Sequence, residues 1–287
     1  MDIAAAKTFL EIVSTGSFVN AASNLHITQT AVGARMRVLE EELGQQLFTR
    51  TKAGVTLTPA GERFMRFAMG FVQMWERARR TVSVPDAQIA RITLGAELIV
   101  SNPLIQNWLQ WMRNAHPEFA LAAYIDNPDS LVERVQAGTL DLAVLYGMAR
   151  HPNLVTELLV EEKLVLVETT GHERTMGMED YVAIDWGRDF TAAYQAAFPD
   201  RTSPSVTVNY GPVALAYLLA VGGTAYLRMM VARPLLESGR VRLVGDAPQF
   251  PYSIHAVYSS AADEEMVRVI RQGLRTSMGW SSISREA

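Results

Sequence analysis

At 287 residues, with 49% hydrophobic and 20% charged residues, the chain is a globular protein of two or three domains, not a disordered or fibrous one. The absence of cysteine excludes disulfide frameworks, thiolate catalysis, thiol redox sensing and cysteine-ligated zinc. The net charge of −4 divides into +3 over residues 1–80 and −7 over the remainder, so a polyanionic partner is expected at the N-terminal end only.

No apolar run approaches the roughly 18 residues of a membrane span, so no membrane partner is expected. Met1-Asp2-Ile3 does not read as the basic start of a secretory signal, which makes the cytoplasm the expected location.

In chain order, Phe18, Ala21, Ala22 and Leu25 stand at i, i+3, i+4 and i+7 and predict a short amphipathic helix. His26-Ile27-Thr28 leaves room only for a tight connection. Val32, Met36, Leu39 and Leu43 form the stripe of a second helix, with Thr28 as N-cap and Gly44 at its left-handed end. Two helices on so short a turn make a helix-turn-helix, whose second helix puts its first turn into the major groove.

Thr28, Gln29 and Thr30 occupy that turn. Thr30, Ala34 and Arg37 fall opposite the core stripe, with Gly33 and Arg35 beside them, and these complete the candidate DNA contacts on the helix. Gln29 can read adenine with paired hydrogen bonds, Thr30 can reach a base edge or phosphate, and Arg37 suits phosphate or guanine. Taken alone, the same residues fit a solvated surface helix equally well.

Leu47–Arg50, Thr51-Lys52-Ala53-Gly54 and Val55–Thr58 read as strand, basic turn and strand, a β-hairpin wing. Arg50 and Lys52 are its candidate phosphate contacts, which add affinity without reading sequence. Thr58 and Pro59 open the next helix as cap and first residue.

The stretch from Phe9 to Glu62 closely resembles the DNA-binding head of the LysR-type regulators. The matching residues include Gly16-Ser17-Phe18, Ala21-Ala22, Ile27-Thr28-Gln29, Ala31-Val32, Leu39-Glu40, Leu43-Gly44 and Leu57-Thr58-Pro59-Ala60-Gly61. The resemblance implies a sequence-specific, DNA-binding transcription regulator. The chain departs from it at Gly33 and Ala34, where the family usually has Ser and then a long polar or basic residue. An atypical half-site preference is the expected consequence.

From Glu62 to Val82, the residues Phe64, Ala68, Phe71, Trp75, Ala78 and Val82 follow a 4-3-4-3-4 spacing, a heptad seam. The family resemblance implies that this helix pairs with its mate, giving a homodimer on a pseudo-palindromic operator. Pairing of dimers into a tetramer is also expected, with RNA polymerase as a further partner. Ser83-Val84-Pro85-Asp86 reads as the hinge.

Beyond residue 90 strands and helices alternate, which predicts α/β architecture with buried parallel strands. The expected fold is thus an all-α winged helix-turn-helix followed by a two-lobed, periplasmic-binding-protein-like α/β effector domain. The expected divisions are 1–61 for the head, 62–87 for the linker and 88–287 for the effector domain. Its first lobe covers about 88–162 and 263–287, and its second about 163–262.

Ligands of open α/β sheets sit beyond the carboxyl ends of strands, facing helix N-termini. The candidates there are Ser101, Asn102, Asn127, Asp129, Tyr146, Trp186, Arg188, Asn209, Gly211 and Arg228, expected to converge on one inter-lobe cleft. Arg188 and Arg228 are the charges suited to a carboxylate effector.

The histidines are scattered, and no nucleophile elbow or phosphate loop occurs. Glu161-Glu162 and Glu264-Glu265 read as solvated pairs. Catalysis, cofactors and metals are therefore not expected. The alternative to effector control is a nucleoid-like, effector-independent DNA-binding protein whose C-terminal domain serves oligomerisation.

Overall fold

The computed structural model describes residues 2–51, 54–84, 88–148, 151, 153–170, 180–200 and 204–278. The chain opens with α1 (Ile3–Thr15), α2 (Phe18–Asn24) and α3 (Gln29–Leu43). Each begins on a side-chain cap: Asp2 accepts from the Ala5 N–H, Ser17 from Asn20 and Thr28 from Ala31. Such caps occupy amide donors that a helix start leaves without partners. Gly16 and Gly44 end α1 and α3 at φ 61° and 63°, the left-handed conformation that glycine adopts without strain.

Phe9, Ile12, Ala21, Val32, Met36 and Leu39 form the core of this head. Leu43, expected on the same stripe, is exposed at the C-terminal end of α3, beside the Gly44 that ends the helix.

The wing is β1 (Phe48–Thr51) paired antiparallel with β2 (Gly54–Leu57). Glu40 of α3 fixes its entry by accepting from the Leu47 N–H at 2.7 Å. Next comes α4 (Pro59–Val82), started by Thr58, whose hydroxyl accepts from the Gly61 N–H. A Cβ on Gly61 would stand 2.2 Å from the Leu47 carbonyl oxygen, so only glycine lets α4 approach the wing this closely.

The seam expected on α4 needs correction. Phe64 and Ala68 are buried in the head's own core, where the Phe64 ring meets Phe9 edge-on at 5.0 Å. The exposed apolar stripe starts one turn later and comprises Phe67, Phe71, Met74, Trp75 and Val82, with Ala78 also exposed.

Beyond residue 88, β3 (Ala90–Glu97), α5 (Leu98–Ala115), β4 (Phe119–Asp126), α6 (Pro128–Gln136) and β5 (Leu142–Tyr146) make a right-sized βαβαβ unit with parallel β4-β3-β5 pairing. α5 starts earlier than the Asn102-Pro103 cap expected from sequence and is kinked at Asn102. The long β6 (Leu154–Thr169) leads out of this lobe.

The second lobe holds β7 (Val182–Ile184), α7 (Arg188–Ala197), β8 (Val206–Val208), α8 (Gly211–Val221), β9 (Thr224–Arg228), α9 (Met229–Glu237) and β10 (Val241–Leu243). β11 (Phe250–Ser259) returns alongside β6, and α10 (Glu264–Ser277) packs on α5, where Trp108 donates to the Ile270 carbonyl. One seven-stranded sheet, in the order β10-β6-β11-β5-β3-β4 with β9 also on β6, therefore runs through both lobes. β6 and β11 are the strands that join them. Among the described residues, no helix is long and apolar enough to cross a membrane.

Candidate DNA interface and inter-lobe cavity

In the head, Thr28, Gln29, Thr30, Ala34 and Arg37 all lie exposed on α3, as its amphipathic pattern requires. Gly33 is half-buried, yet a Cβ there would meet no atom within 4 Å. Arg35 departs from the group. Its Nη1 donates to Thr8 Oγ1 at 3.1 Å, which turns the guanidinium toward α1. Arg50 lies in β1, paired in register with Val55. Lys52 lies outside the described residues.

α4 is fastened to the head and to the first lobe alike. Lys7 of α1 pairs with Glu76 at 2.5 Å, and the C-terminal half of α4 docks onto the first lobe. Gln73 Oε1 accepts from Ser259 Oγ at 2.8 Å, Arg77 pairs with Asp263 at 2.6 Å, and Arg80 pairs with Asp141 at 2.6 Å while donating to the Gly138 carbonyl. Asp141 is itself held by the Thr93 N–H and hydroxyl. Gly138, at φ 70°, lies so near the helix that a Cβ would stand 2.7 Å from Gln73 Cα. Sequence alone suggested a hinge here; the structure adds a polar dock. Residues 85–87 of that hinge lie outside the described residues.

Between the lobes is a cavity of about 270 Å³. Asn102, Trp186, Gly211 and Arg228 line it, together with Leu98, Ile99, Pro212, Leu215, Ala216, Leu219, Leu227 and Val231. Gly211, Leu98 and Arg228 stand at the starts of α8, α5 and α9, so three positive helix ends converge there. The Trp186 indole donates to the Tyr226 carbonyl at 2.9 Å and holds one wall rigid.

The remaining candidates are placed differently. Ser101 is buried and donates to the Leu98 carbonyl within α5. Tyr146 stacks on Tyr252 at 4.2 Å, next to the cavity, and Gly187 of the second lobe closes on its ring. Asn127 spends its side chain capping α6 at the Ser130 N–H, and Asp129 is an exposed acid in the first turn of that helix. Asn209 and Arg188 are exposed and do not line the cavity. Convergence of all these residues on one cleft is thus corrected to a smaller set.

Sequence reasoning missed the polar floor. Glu162, read as solvated, is buried and accepts from the Met230 N–H at 2.7 Å, while its neighbour Glu161 is exposed. A strand sends adjacent side chains to opposite faces, and this alternation was the available signal. Arg228 Nη1 stands 3.9 Å from Glu162 Oε2, and Nη2 donates to the Asn102 carbonyl oxygen. Burial pushes the Glu162 carboxyl up, against the pull of Arg228 and the Met230 amide. Burial likewise raises Glu97, which accepts from the Tyr146 N–H at 2.8 Å. Among the described residues, no group of His, Cys, Asp and Glu could hold a metal ion.

A winged helix-turn-helix joined through one long helix to a two-lobed α/β binding domain defines a class of transcription regulator that carries its DNA-reading and ligand-binding parts in a single chain. Residues 3–62 match the family profile of the bacterial regulatory helix-turn-helix protein, lysR family, and residues 86–279 match the LysR substrate binding domain. The chain belongs to the LysR family of DNA-binding transcriptional regulators.

It is 29% identical, over 100% of both chains, to the HTH-type transcriptional regulator HdfR of Yersinia pestis (strain Pestoides F). Among solved structures it resembles full-length LysG from Corynebacterium glutamicum with bound effector arginine, at TM-score 0.60 and 16% identity, covering 97% of this chain and 99% of that one. ArgP from Mycobacterium tuberculosis is similar at TM-score 0.58 and 21% identity, covering 99% and 98% of the two chains.

Proposed function

We propose that the protein is a ligand-gated regulator: its head reads DNA through α3 and the wing, and a small molecule in the inter-lobe cavity sets how it does so. The observation that carries this reading is the cavity itself, enclosed by helix starts from both lobes with a buried arginine in its wall. The structural neighbour LysG, with its bound effector arginine, gives the reading further support.

On the DNA side, Thr28, Gln29, Thr30 and Arg37 are the proposed groove contacts, with Arg50 and Lys52 on phosphate. The exposed stripe of α4 pairs two copies on a pseudo-palindromic site, with half-sites about one helical turn apart. Head, linker and effector domain divide at about residues 61 and 87.

Control runs by linkage. A ligand that prefers one angle between the lobes shifts the angle at which the paired heads meet DNA, and about 1–3 kcal/mol of coupling suffices. A thermal-shift screen of the full-length protein against a metabolite set tests this. A ligand at about a hundredfold its Kd adds about 2.7 kcal/mol of stability. A hit that Ala216→Trp abolishes, by filling the cavity, supports the reading. No shift from any metabolite, with the protein folded and DNA-competent, would favour effector-independent DNA binding.

A further inference from the structure

We propose that the ligand of the inter-lobe cavity is a small apolar monocarboxylate, its carboxylate held by Arg228 and its hydrocarbon or aryl body laid along α8. This rests on the reading of the cavity as the effector site and adds the chemistry of what enters it.

Arg228 stands at the junction of the two lobes' walls. Its side chain is almost wholly buried, and a guanidinium carries five N–H donors. Among the described residues, its side chain makes one hydrogen bond, from Nη2 to the Asn102 carbonyl. The nearest carboxylate oxygen, Glu162 Oε2, is 3.9 Å away, beyond hydrogen-bonding distance, and has no hydrogen-bond partner of its own. The spare donors of Arg228 are not sealed away from the cavity, so what enters it can complete them. The cavity reaches this residue, and among the described residues Arg228 is the one charged side chain in its wall.

The backbone agrees in sign. α5, α8 and α9 all present their N-terminal ends to the cavity, and none of the three has a side-chain cap bond. Each such end favours negative charge.

The rest of the wall fixes the other half of the ligand. Leu215, Ala216, Leu219 and Leu227 form an apolar surface with no side-chain donor or acceptor. A volume of about 270 Å³ lies just under the range of roughly 300–1,000 Å³ typical of drug-sized ligands. One anionic head and a body of a few carbons therefore fit, whereas a dicarboxylate or a sugar acid would bring more polar groups than Arg228, Asn102 and the helix starts can meet.

Glu162 sharpens the proposal, because it competes with the ligand for Arg228. Replacing it by glutamine leaves the hydrogen bond from the Met230 amide available and removes the competing charge. Carboxylates must then bind more tightly and ammonium ligands must not.

The experiment is calorimetric titration of the full-length protein with hexanoate, 4-methylpentanoate and benzoate, each beside its amide and its amine. At least one acid is expected to bind about 10-fold or more tightly than its amide and amine, the increment of a charge-assisted hydrogen bond. Glu162→Gln is expected to tighten that acid several-fold. The double variant Arg228→Gln with Glu162→Gln, which leaves no unpaired buried charge, is expected to lose about 10-fold or more.

Equal or better binding of the amide or amine overturns the proposal, as does weaker acid binding by Glu162→Gln. Failure of every acid to bind up to about 10 mM, weaker than any specific ligand of this size should be, overturns it as well. If a metabolite hit from the screen is nonetheless lost in Ala216→Trp, the effector reading survives and only the chemical class falls. Acid binding that Ala216→Trp leaves unchanged removes this cavity as the site and overturns both.

Discussion

At position 33, in the second turn of α3, stands a glycine that nothing in the structure demands. A side chain there would meet open space, and Ala34 beside it is exposed. Glycine inside a helix costs up to about 1 kcal/mol relative to alanine, so Gly33→Ser with Ala34→Arg should fold at least as well as the natural head. Binding to all DNA sequences should strengthen and the salt slope should steepen by about one, as read by mobility shift over a salt series. Gln29→Ala should behave in the opposite manner. It should lose about 1–3 kcal/mol on the preferred operator and relax selection at one base pair, with the salt slope unchanged.

Asp263 makes the dock sensitive to acid. Its carboxyl accepts from the Met266 N–H that starts α10 and from Arg77 of α4, and both hold it below its ordinary value of 3.8. A depressed acid adds stability that is present above the ordinary value and lost as pH falls through the depressed one. Acid titration should therefore loosen the dock between α4 and the first lobe below about pH 3.8. Asp263→Asn keeps a capping oxygen but loses the charge, so its melting temperature should fall less steeply over that acid range than that of the natural protein.

At the scale of elements, the instructive case is α4. Phe64, Ala68 and Phe71 share a heptad spacing with Phe67, Phe71 and Met74, and nothing local separates the two registers. Only packing decides, because Phe9 of α1 waits on one side of the helix to receive Phe64. Phe64→Ala should consequently lower the stability of a single head by about 3–5 kcal/mol. Met74→Glu should leave stability near its natural value and shift the protein toward monomer in sedimentation, together with loss of operator affinity.

The helix-turn-helix was legible because its signals are local: a cap at Thr28, a stop at Gly44, a stripe between them. The succession of strands and helices in the effector domain was legible from its apolar runs, whereas the order of the strands across the sheet was not. The cavity was legible only in outline. Asn127 as a helix cap and Asn102 as a cavity wall look the same in sequence, since both precede proline after a strand. Glu162 was hidden by its neighbour, because two adjacent acids read as solvent-exposed until the strand divides them between its faces.

At the scale of the molecule, the head, α4 and the first lobe are one connected body. Lys7–Glu76 and the Phe9–Phe64 contact tie the helix to the head, and Gln73, Arg77 and Arg80 tie it to the lobe. Among the described residues, the partners in that dock are Val135, Gln136, Gly138, Asp141 and Asp263 of the first lobe and Ser259 at the end of β11, the strand that returns to it. Among the described residues the second lobe takes no part in the dock; it meets the first lobe through β6, β11, the cavity walls and the Gly187–Tyr146 contact. Gly138→Ala should press on Gln73 and separate ligand binding from DNA response: the ligand affinity should persist while its effect on the operator footprint shrinks.

The dock also decides where such a protein can be cut and rejoined. An exchange of effector domains made at the visible hinge, after Ser83, would leave Gln73, Arg77 and Arg80 facing a foreign surface. A hybrid joined N-terminal to Gln73 would carry the whole interlocking surface with its own lobe. Of two such chimaeras built with any relative, the earlier junction should give the one that still answers to its ligand.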